Sequence, residues 1–409
     1  MKKASYKKNI IKQLYFAQTL SCAEISEKIG KSLPLTTKTV NELLNEQVIV
    51  ENGYAPSSGG RRPLTYSIKA GVLYIVSIAM DQFVTRIAIM DMHNRYVTPV
   101  EKFDLVLAKN TGALNTLADR INRHISASGL PKAKIAGIGI GMPGFIDVGK
   151  GINYTFLEAP VGNIPSFIGK KTGLSVFIDN DSSLIALAEL RFGAARQKTN
   201  AMVVNIGWGV GLGLVLEGKL FRGYNGFAGE FSHIPVFDNN KLCSCGKKGC
   251  LEIESSLSAI VEKGARGISD GQISILQDRL QTLDTENAFE EIIIAAQKGD
   301  QFSVELFSDA GYNIGRGVAI LVHLLNPEII VLSGRGSLAG KILRAPVQQA
   351  LNELCIPRLS ANTEIDISVL GYEAELIGSA ALVMENFENN VKHTNTAGEI
   401  LSNVTAEGK

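Results

Sequence analysis

The side chains best suited to chemistry are concentrated in residues 225–252. There Cys243, Cys245 and Cys250 follow the spacing C-x-C-G-x-x-G-C, with His233 ten residues upstream of the first of them. The glycines between the cysteines allow a backbone tight enough for three thiolates to face one point. Three sulfurs and one imidazole form a closed tetrahedral ligand set typical of structural zinc. The pattern predicts one zinc ion per chain, bound by these four residues.

A disulfide with one spare thiol is the alternative for the three cysteines. The chain has no apolar signal-peptide core after Met1, and no uncharged apolar run reaches about 18 residues. A compact Cys/His cluster without a secretion signal favours a metal over a disulfide. We therefore expect a cytoplasmic protein with no membrane segment.

Composition excludes a disordered or fibrous protein and leaves a globular one. The chain has 409 residues, of which 45% are hydrophobic and 20% charged, enough for two or three domains with cores of their own. Residues 1–70 contain 9 Lys and 2 Arg against 5 Glu, a charge of +6, whereas the whole chain carries only +1. A basic front on an acidic body suggests that the front binds a polyanion. Scattered surface lysines are the simpler alternative.

Two helices are predicted near the start of the chain. Helical spacing of apolar residues indicates a first helix over residues 5–18. A second helix is expected from Ser21, because its hydroxyl and the carboxylate of Glu24 form a capping box, and Gly30 ends it. Its inward-facing residues are expected to be Ala23, Ile25 and Ile29.

A third helix, over about residues 35–47, has the composition of a DNA recognition helix. Threonine and asparagine can contact base edges and lysine can meet phosphate. The residues expected to point outward are Thr36, Thr37, Lys38, Thr39 and Asn41. A three-helix bundle with no DNA role is the alternative.

The segment after the third helix favours DNA binding. Strands are expected at residues 48–50 and 66–68, joined through the Gly-Gly-Arg-Arg-Pro sequence that contains Arg61 and Arg62. Such a cationic loop can enter a narrow A·T-rich minor groove, where the negative potential is strongest. We interpret residues 1–70 as a winged helix-turn-helix domain that binds double-stranded operator DNA.

The body after residue 70 repeats one pattern. In each half, two strands form a hairpin, a helix follows, and a buried strand runs into a glycine-containing loop; the second buried strand leads into Ser333-Gly334-Arg335-Gly336. Two such α/β lobes imply a cleft in which ligands bind.

Several segments in this body resemble the ROK family of repressors and sugar kinases. The matching segments are Gly141-Met142-Pro143-Gly144, Asp179-Asn180-Asp181, Gly207 to Gly213, Ala228-Gly229-Glu230 with His233, and Cys243 to Glu252. The resemblance implies a two-lobed α/β sugar-kinase fold of the actin-like ATPase (ribonuclease H-like) superfamily over residues 71–388, with a zinc-containing loop at 233–252. The N-terminal domain and its linker resemble the repressor branch, of the xylose-repressor and N-acetylglucosamine-repressor type. Residues 389–409 are expected to form a mobile tail.

The resemblance also implies a sugar site. Its ligands would be Asn180, Asp181, Glu230, His233 and Glu252. Carboxylates accept hydroxyl protons and asparagine both donates and accepts, which suits a polyol. One ring nitrogen of His233 would bind zinc and the other would face the sugar. For Asp181 and Glu230 the alternative is a surface charge or a helix cap.

Two departures from the kinase pattern argue against phosphoryl transfer. Ala79 replaces a carboxylate on the first hairpin, and Trp208 replaces a small hydroxyl residue in the second phosphate loop. Asp181 still matches the family's general base, but phosphoryl transfer depends mostly on the phosphate cradle. We therefore expect no catalytic residues and no use of ATP or magnesium.

These features predict a sugar-responsive transcriptional regulator, a repressor that acts as a homodimer or homotetramer. A bifunctional DNA-binding ROK sugar kinase of the ATP-dependent hexokinase or glucokinase type is the main alternative. A scaffold that binds another protein and ignores sugars is a third.

Overall fold

A computed structural model of the chain describes residues 2–55, 62–280 and 282–388. The described chain forms two compact units. The first contains the chain up to Asp181 together with the segment from Leu376 onward, and the second contains Ser182–Glu375. Arg61 and the tail predicted at residues 389–409 lie outside the described residues. Within the described part, no helix is both long and apolar enough to cross a bilayer.

The first unit begins with three helices and a small antiparallel sheet. The sheet has the strand order β1-β3-β2, so β3 lies between the short β1 and the longer β2. This topology matches the predicted helix-turn-helix with a two-stranded wing. The bounds are α1 Lys2–Ala17, β1 Leu20–Ser21, α2 Cys22–Ile29, α3 Leu33–Asn45, β2 Ile49–Tyr54 and β3 Leu64–Ile68.

The capping box predicted at the start of α2 is present. The Glu24 N–H donates to Ser21 Oγ, and the Ser21 N–H donates to Glu24 Oε2 at 2.8 Å. Gly30, with φ of 62°, ends the helix as expected. Ile25 is fully buried, but Ala23 is exposed, so the expectation that Ala23 faces inward is wrong.

Ser21→Ala is expected to destabilise α2 by about 1 kcal/mol, because it removes one of the two reciprocal capping bonds. Hydrogen exchange of the α2 amides in the full chain should then be about fivefold faster. Ser5→Ala, at an exposed position of α1, is the control. Unchanged exchange in the Ser21 variant would show that tertiary packing alone holds the helix start.

A five-stranded sheet forms the rest of the first unit. Its order is β10-β7-β4-β5-β6, in which β4, β5 and β6 are antiparallel and β7 and β10 run parallel to β4. The bounds are β4 Tyr74–Met80, β5 Val84–Asp91, β6 Glu101–Asp104, α4 Ala113–Ala127, β7 Ile135–Met142, β8 Ile146–Asp147, β9 Ile152–Asn153, α5 Ile164–Thr172 and β10 Val176–Asn180.

The second unit repeats this sheet. Its order is β13-β12-β11-β14-β15, again an antiparallel meander of three strands followed by two parallel strands. This confirms the predicted two-lobed α/β fold. The bounds are α6 Asp181–Phe192, β11 Ala201–Ile206, β12 Val210–Leu216, β13 Lys219–Phe221, α7 Glu252–Ser255, α8 Leu257–Ser269, α9 Thr285–Gln297, α10 Gln301–Leu325, β14 Ile329–Ser333, α11 Lys341–Leu354, α12 Pro357–Ser360 and β15 Glu364–Ile367.

The last helix, α13 Ala374–Glu385, connects the first unit's sheet to α1. Ser379 Oγ donates to the Ile78 carbonyl at 2.8 Å, which fixes the helix to β4. At its other end, Lys12 Nζ of α1 lies 2.9 Å from the Glu385 carbonyl and 3.3 Å from its carboxylate. Through α13, the winged helix is therefore attached to the sheet of its own unit by hydrogen bonds and an ion pair.

A second attachment uses the turn after β5. Tyr15 OH donates to Asn94 Oδ1 at 2.5 Å. The ring of His93 lies between Gln18 Oε1, at 3.2 Å, and the Ile68 carbonyl, at 2.9 Å. His93 has no function in the sequence interpretation, and its position gives it a structural one.

Candidate functional site

The four predicted metal ligands come together in the second unit. Their ligand atoms all lie within 4.8 Å of one another. His233 Nδ1 is 3.5 Å from Cys243 Sγ, and Cys245 Sγ is 3.6 Å from Cys250 Sγ. Zinc bonds of about 2.3 Å to sulfur and about 2.0 Å to nitrogen give tetrahedron edges of about 3.5 to 3.8 Å, so a metal ion of this size fits. The cysteines are free thiols in the structure, and the two nearest sulfurs, of Cys245 and Cys250, are 3.6 Å apart, a distance that suits a shared metal ion and not a disulfide bond.

Local backbone pairing builds this cluster. The segment that begins at Ile234 pairs with the chain around Cys250. The Leu251 N–H donates to the Ile234 carbonyl, and Pro235 forms an antiparallel β-bridge with Cys250. The Cys243 N–H donates to the Lys247 carbonyl at 2.8 Å, which closes the knuckle between the cysteines. The two glycines of the motif have φ of 83° and 76°, a left-handed conformation that glycine adopts readily and that allows the tight backbone expected from the sequence.

Thiol acidity in this cluster depends on burial and on neighbouring sulfurs. Burial, followed by the thiols of Cys245 and Cys243, raises the pKa of Cys250 to about 12. A bound metal ion would take the place of the thiol protons, so its affinity must fall with falling pH.

Two of the predicted sugar ligands lie beside the metal cluster. His233 Nε2, the ring nitrogen opposite to the one near Cys243, is 3.7 Å from Glu230 Oε2. Burial and, to a smaller extent, the charge of Glu252 raise the pKa of Glu230, while His233 opposes the shift. Glu252 Oε1 is 3.8 Å from Cys243 Sγ. A Cβ at Gly209 would lie 2.6 Å from Glu252 Oε2, so the glycine makes room for this carboxylate.

The other two predicted sugar ligands belong to the first unit. Asn180 is the last residue of β10, and its Nδ2 donates to the Gly144 carbonyl at 3.2 Å. Asp181 follows directly as the first residue of α6. Gly144 closes the Gly-Met-Pro-Gly loop identified in the sequence, so this loop and the Asn-Asp pair are neighbours.

Sequence reasoning missed Glu254, which anchors the loop that carries the three cysteines. Its carboxylate is 2.6 Å from Lys241 Nζ and 2.8 Å from Lys263 Nζ, and it accepts a bond from Asn239 Nδ2 at 3.1 Å. Burial alone would raise the pKa of Glu254, but bonds from the two lysines outweigh it and the pKa is lowered. No sequence motif marks this residue, because its partners come from both sides of the loop.

The recognition helix α3 departs from expectation at two positions. Thr36 and Thr39 are 0% and 3% exposed, so the expectation that they point outward is wrong. Their hydroxyls donate to the Ser32 and Leu35 carbonyls one turn earlier, and Thr36 also bonds Tyr6 of α1.

The other predicted contact residues of α3, Thr37, Lys38 and Asn41, are exposed, as is Arg62 in the wing, between β2 and β3. Leu33 and Leu35 are two further exposed side chains of α3 that sequence reasoning missed. Leu33 was missed because the helix starts two residues earlier than expected. Pro34, at a position where proline favours a helix start, is the signal that marks this start.

The two loops that depart from the kinase pattern are held in different ways, the first by its own side chain and the second by a residue of α8. Asp81 Oδ1 accepts bonds from the Phe83 and Val84 N–H groups, at 2.8 and 2.7 Å, in the turn between β4 and β5. Ala79 is a buried strand residue. Trp208 lies in the turn between β11 and β12, where its carbonyl accepts a bond from Ser258 Oγ.

The sequence model of the ROK family matches residues 84–386. This chain belongs to the ROK family. The xylose repressor of Caldicellulosiruptor bescii is 28% identical over 386 residues, which cover 92% of this chain and 94% of that protein. The glucokinase of Halalkalibacterium halodurans is 33% identical over 305 residues, covering 72% of this chain and 91% of that protein.

A solved structure of a ROK family transcriptional regulator, described as a homolog of the Escherichia coli MLC protein, has the same fold. It superposes with a TM-score of 0.76 and 25% identity, covering 98% of this chain and 99% of that one. The predicted family and fold are therefore confirmed. A 98% match includes the winged helix, whereas the glucokinase match leaves out more than a quarter of this ROK chain.

Proposed function

We propose that the chain is a sugar-responsive transcriptional repressor that binds operator DNA. The observation that carries the proposal is the winged helix joined, within one compact unit, to half of a sugar-kinase-like fold. ROK relatives named as repressors or regulators match almost the whole chain, including this domain. Residues 1–70 act as the DNA-binding domain and residues 71–388 as the sensor.

The sensor binds a sugar or sugar derivative through hydroxyl contacts. Its proposed ligands are Asn180, Asp181, Glu230, His233 and Glu252. The proposed metal is one structural zinc, held by His233, Cys243, Cys245 and Cys250. Zinc would bind His233 through Nδ1 and so fix the ring with Nε2 on the side of Glu230, as the distances above support.

The altered phosphate loops support binding without phosphorylation. The turn N–H groups after β4 are already bonded to the carboxylate of Asp81, which would also repel a phosphate. A bifunctional kinase remains the second candidate, favoured by the 33% identity to a glucokinase and by Asp181 at the general-base position.

One experiment separates these functions. A panel of sugars is scored by gel shift on DNA selected with the purified protein, and by ATP turnover. If the chain is a sugar-responsive repressor, at least one sugar should change its DNA affinity by about 5 to 150-fold, and no sugar should cause ATP turnover. Turnover like that of ordinary sugar kinases would favour the bifunctional enzyme. If no sugar alters the gel shift, the result would argue against sugar-responsive DNA binding in either form, repressor or bifunctional kinase.

We propose a homodimer as the minimal DNA-binding form. Two recognition helices on a pseudo-palindromic site provide affinity that one small winged domain does not reach. Because Lys12, Tyr15 and His93 tie the winged helix to its unit, any movement of that unit on sugar binding would change the position of the recognition helix.

In this proposal Thr37, Lys38 and Asn41 contact DNA in the major groove, and Arg61 and Arg62 enter the adjacent minor groove. Lys38→Ala should weaken binding to all DNA sequences alike, because one phosphate contact is lost. The salt slope, which is the slope of the logarithm of the binding constant against the logarithm of salt concentration, should decrease in magnitude by about 1. Asn41→Ala should reduce the free energy of DNA binding by about 1 to 3 kcal/mol and weaken the base preference at one base pair of the site.

Gel shifts at several salt concentrations measure both effects. Lys170→Ala, an exposed lysine of α5 outside the winged helix, makes the same charge change and is the control. If Lys38→Ala and Lys170→Ala alter the salt slope equally, the proposed position of α3 in the groove is wrong.

A further inference from the structure

Three consecutive apolar residues are exposed at the start of the recognition helix α3. Leu33 and Leu35 are 48% and 46% exposed, and Pro34 between them is exposed as well. A run of three exposed apolar residues is unfavourable in water unless it serves a function. This run belongs to the winged helix and contains none of the proposed metal or sugar ligands, so it needs an explanation of its own.

Helical spacing places Leu33 in line with two proposed base contacts. Thr37 and Asn41 follow Leu33 at intervals of four residues, so the three side chains form one row along α3. All three are exposed. Leu33 is the first residue of the helix and therefore the N-terminal end of this row. In a helix-turn-helix domain, the N-terminal residues of the recognition helix contact the base edges.

Leu35 lies on a different flank of the same helix. Glu42, which follows Leu35 by seven residues or about two turns, lies 3.5 Å from Lys7 Nζ of α1. Glu46, about one turn further, is paired with the same lysine. The row that contains Leu35 therefore runs along the side of α3 next to α1. Leu35 thus provides a control of the same residue type, the same exposure and the same helical turn.

The charges near the run favour a nucleic acid as its partner. Lys31 and Lys38 are exposed on either side of the run, and residues 1–70 carry a charge of +6. Lysines that contact phosphates would hold α3 against the major groove of DNA. The apolar group that a base edge presents in this groove is the 5-methyl group of thymine.

We infer that Leu33 contacts the 5-methyl group of one thymine and thereby specifies an A·T base pair in the DNA site. The inference rests on the proposed function, since it requires α3 to lie in the major groove. Contact with a methyl group removes apolar surface of both partners from water. A cytosine at this position would instead place an amino group beside Leu33, which has no acceptor for it.

Replacement of single thymines by deoxyuridine tests this contact, because it removes the methyl group and keeps the base pair. The DNA is the sequence selected with the purified full chain, and one thymine is replaced at a time. Gel shifts at one salt concentration compare wild type with Leu33→Ala, Leu33→Met and Leu35→Ala. Circular dichroism and sedimentation measure the folding and the oligomeric state of each protein.

We expect at least one position at which deoxyuridine weakens wild-type binding by about fourfold, the effect of one buried methyl group. At this position Leu33→Ala should bind the thymine and deoxyuridine sites equally. Leu33→Met, which keeps an apolar side chain, and Leu35→Ala should still prefer thymine. A change in DNA shape caused by the missing methyl group would persist in Leu33→Ala, so equal binding by this variant assigns the effect to Leu33.

Three results would overturn the inference while leaving DNA binding intact. Wild type distinguishes thymine from deoxyuridine at no position, Leu33→Ala keeps the wild-type preference at every position, or Leu35→Ala loses it to the same extent as Leu33→Ala. If Leu33→Ala keeps the preference but sediments as a smaller species than wild type, the run is a contact between copies of this chain. Failure of the wild-type chain to select any DNA sequence would overturn the proposed function as well.

Discussion

Cys245→Ser is expected to remove the metal ion from the chain. One of four ligands is lost from a cluster whose atoms already lie within 4.8 Å of one another. Loss of groups that only orient a zinc ligand costs about 10 to 100-fold in affinity, so loss of a ligand itself should cost more than about 100-fold. Cys245 is the exposed member of the set, so the variant leaves the buried cysteines in place.

Metal analysis of protein purified in reducing buffer without chelators tests this expectation. Wild type should contain about one zinc per chain, the stoichiometry of a single tetrahedral site. Cys355→Ser, which changes a buried cysteine outside the cluster, should retain it. Wild type without zinc, or a Cys245 variant with a full complement, would contradict the assignment. Zinc loss should also weaken the sugar response, since His233 would lose its orientation.

The Cys/His cluster was predictable because its information is local. Three cysteines within eight residues and two glycines define a knuckle whatever the rest of the fold does, and in the structure both glycines have a positive φ. The two lobes were predictable for a related reason. Each lobe repeats the same order of hairpin, helix and buried strand, and this order specifies the sheet topology.

Residues whose position depends on distant partners were not predictable. Thr36 is buried because α1 brings Tyr6 against it, a contact across 30 residues. Glu254 acquires its role from Lys241 and Lys263. In each case the residue type is common on surfaces, and only tertiary packing distinguishes it from a solvated side chain.

In the proposed site, His233 would link metal binding and sugar binding. Its Nδ1 faces the sulfur cluster and its Nε2 faces Glu230. Glu252 follows the last cysteine by two residues and lies near Cys243. The proposed zinc therefore determines where two sugar ligands are placed, and a test of the sugar site must record metal content as well.

Glu252→Ala is expected to abolish the sugar response while leaving DNA affinity without sugar unchanged. A hydrogen bond to a charged group contributes about 1.5 to 3 kcal/mol, which corresponds to about 10 to 150-fold weaker sugar binding. The recognition helix belongs to the other compact unit, so its fold does not depend on this carboxylate. Calorimetry with the sugar found in the panel, and gel shift with and without it, measure the two effects separately.

Glu262→Ala serves as the control, because it removes an exposed carboxylate from α8 of the same unit. Both variants should retain zinc, and only the Glu252 variant should lose the response. Sugar binding at wild-type affinity in Glu252→Ala would remove this residue from the proposed site. Loss of zinc together with loss of binding would instead assign Glu252 to the support of the metal cluster, consistent with its 3.8 Å distance from Cys243 Sγ. Glu252→Gln decides between these roles: an amide still fills the space beside Gly209 but accepts sugar hydroxyls more weakly than a carboxylate does.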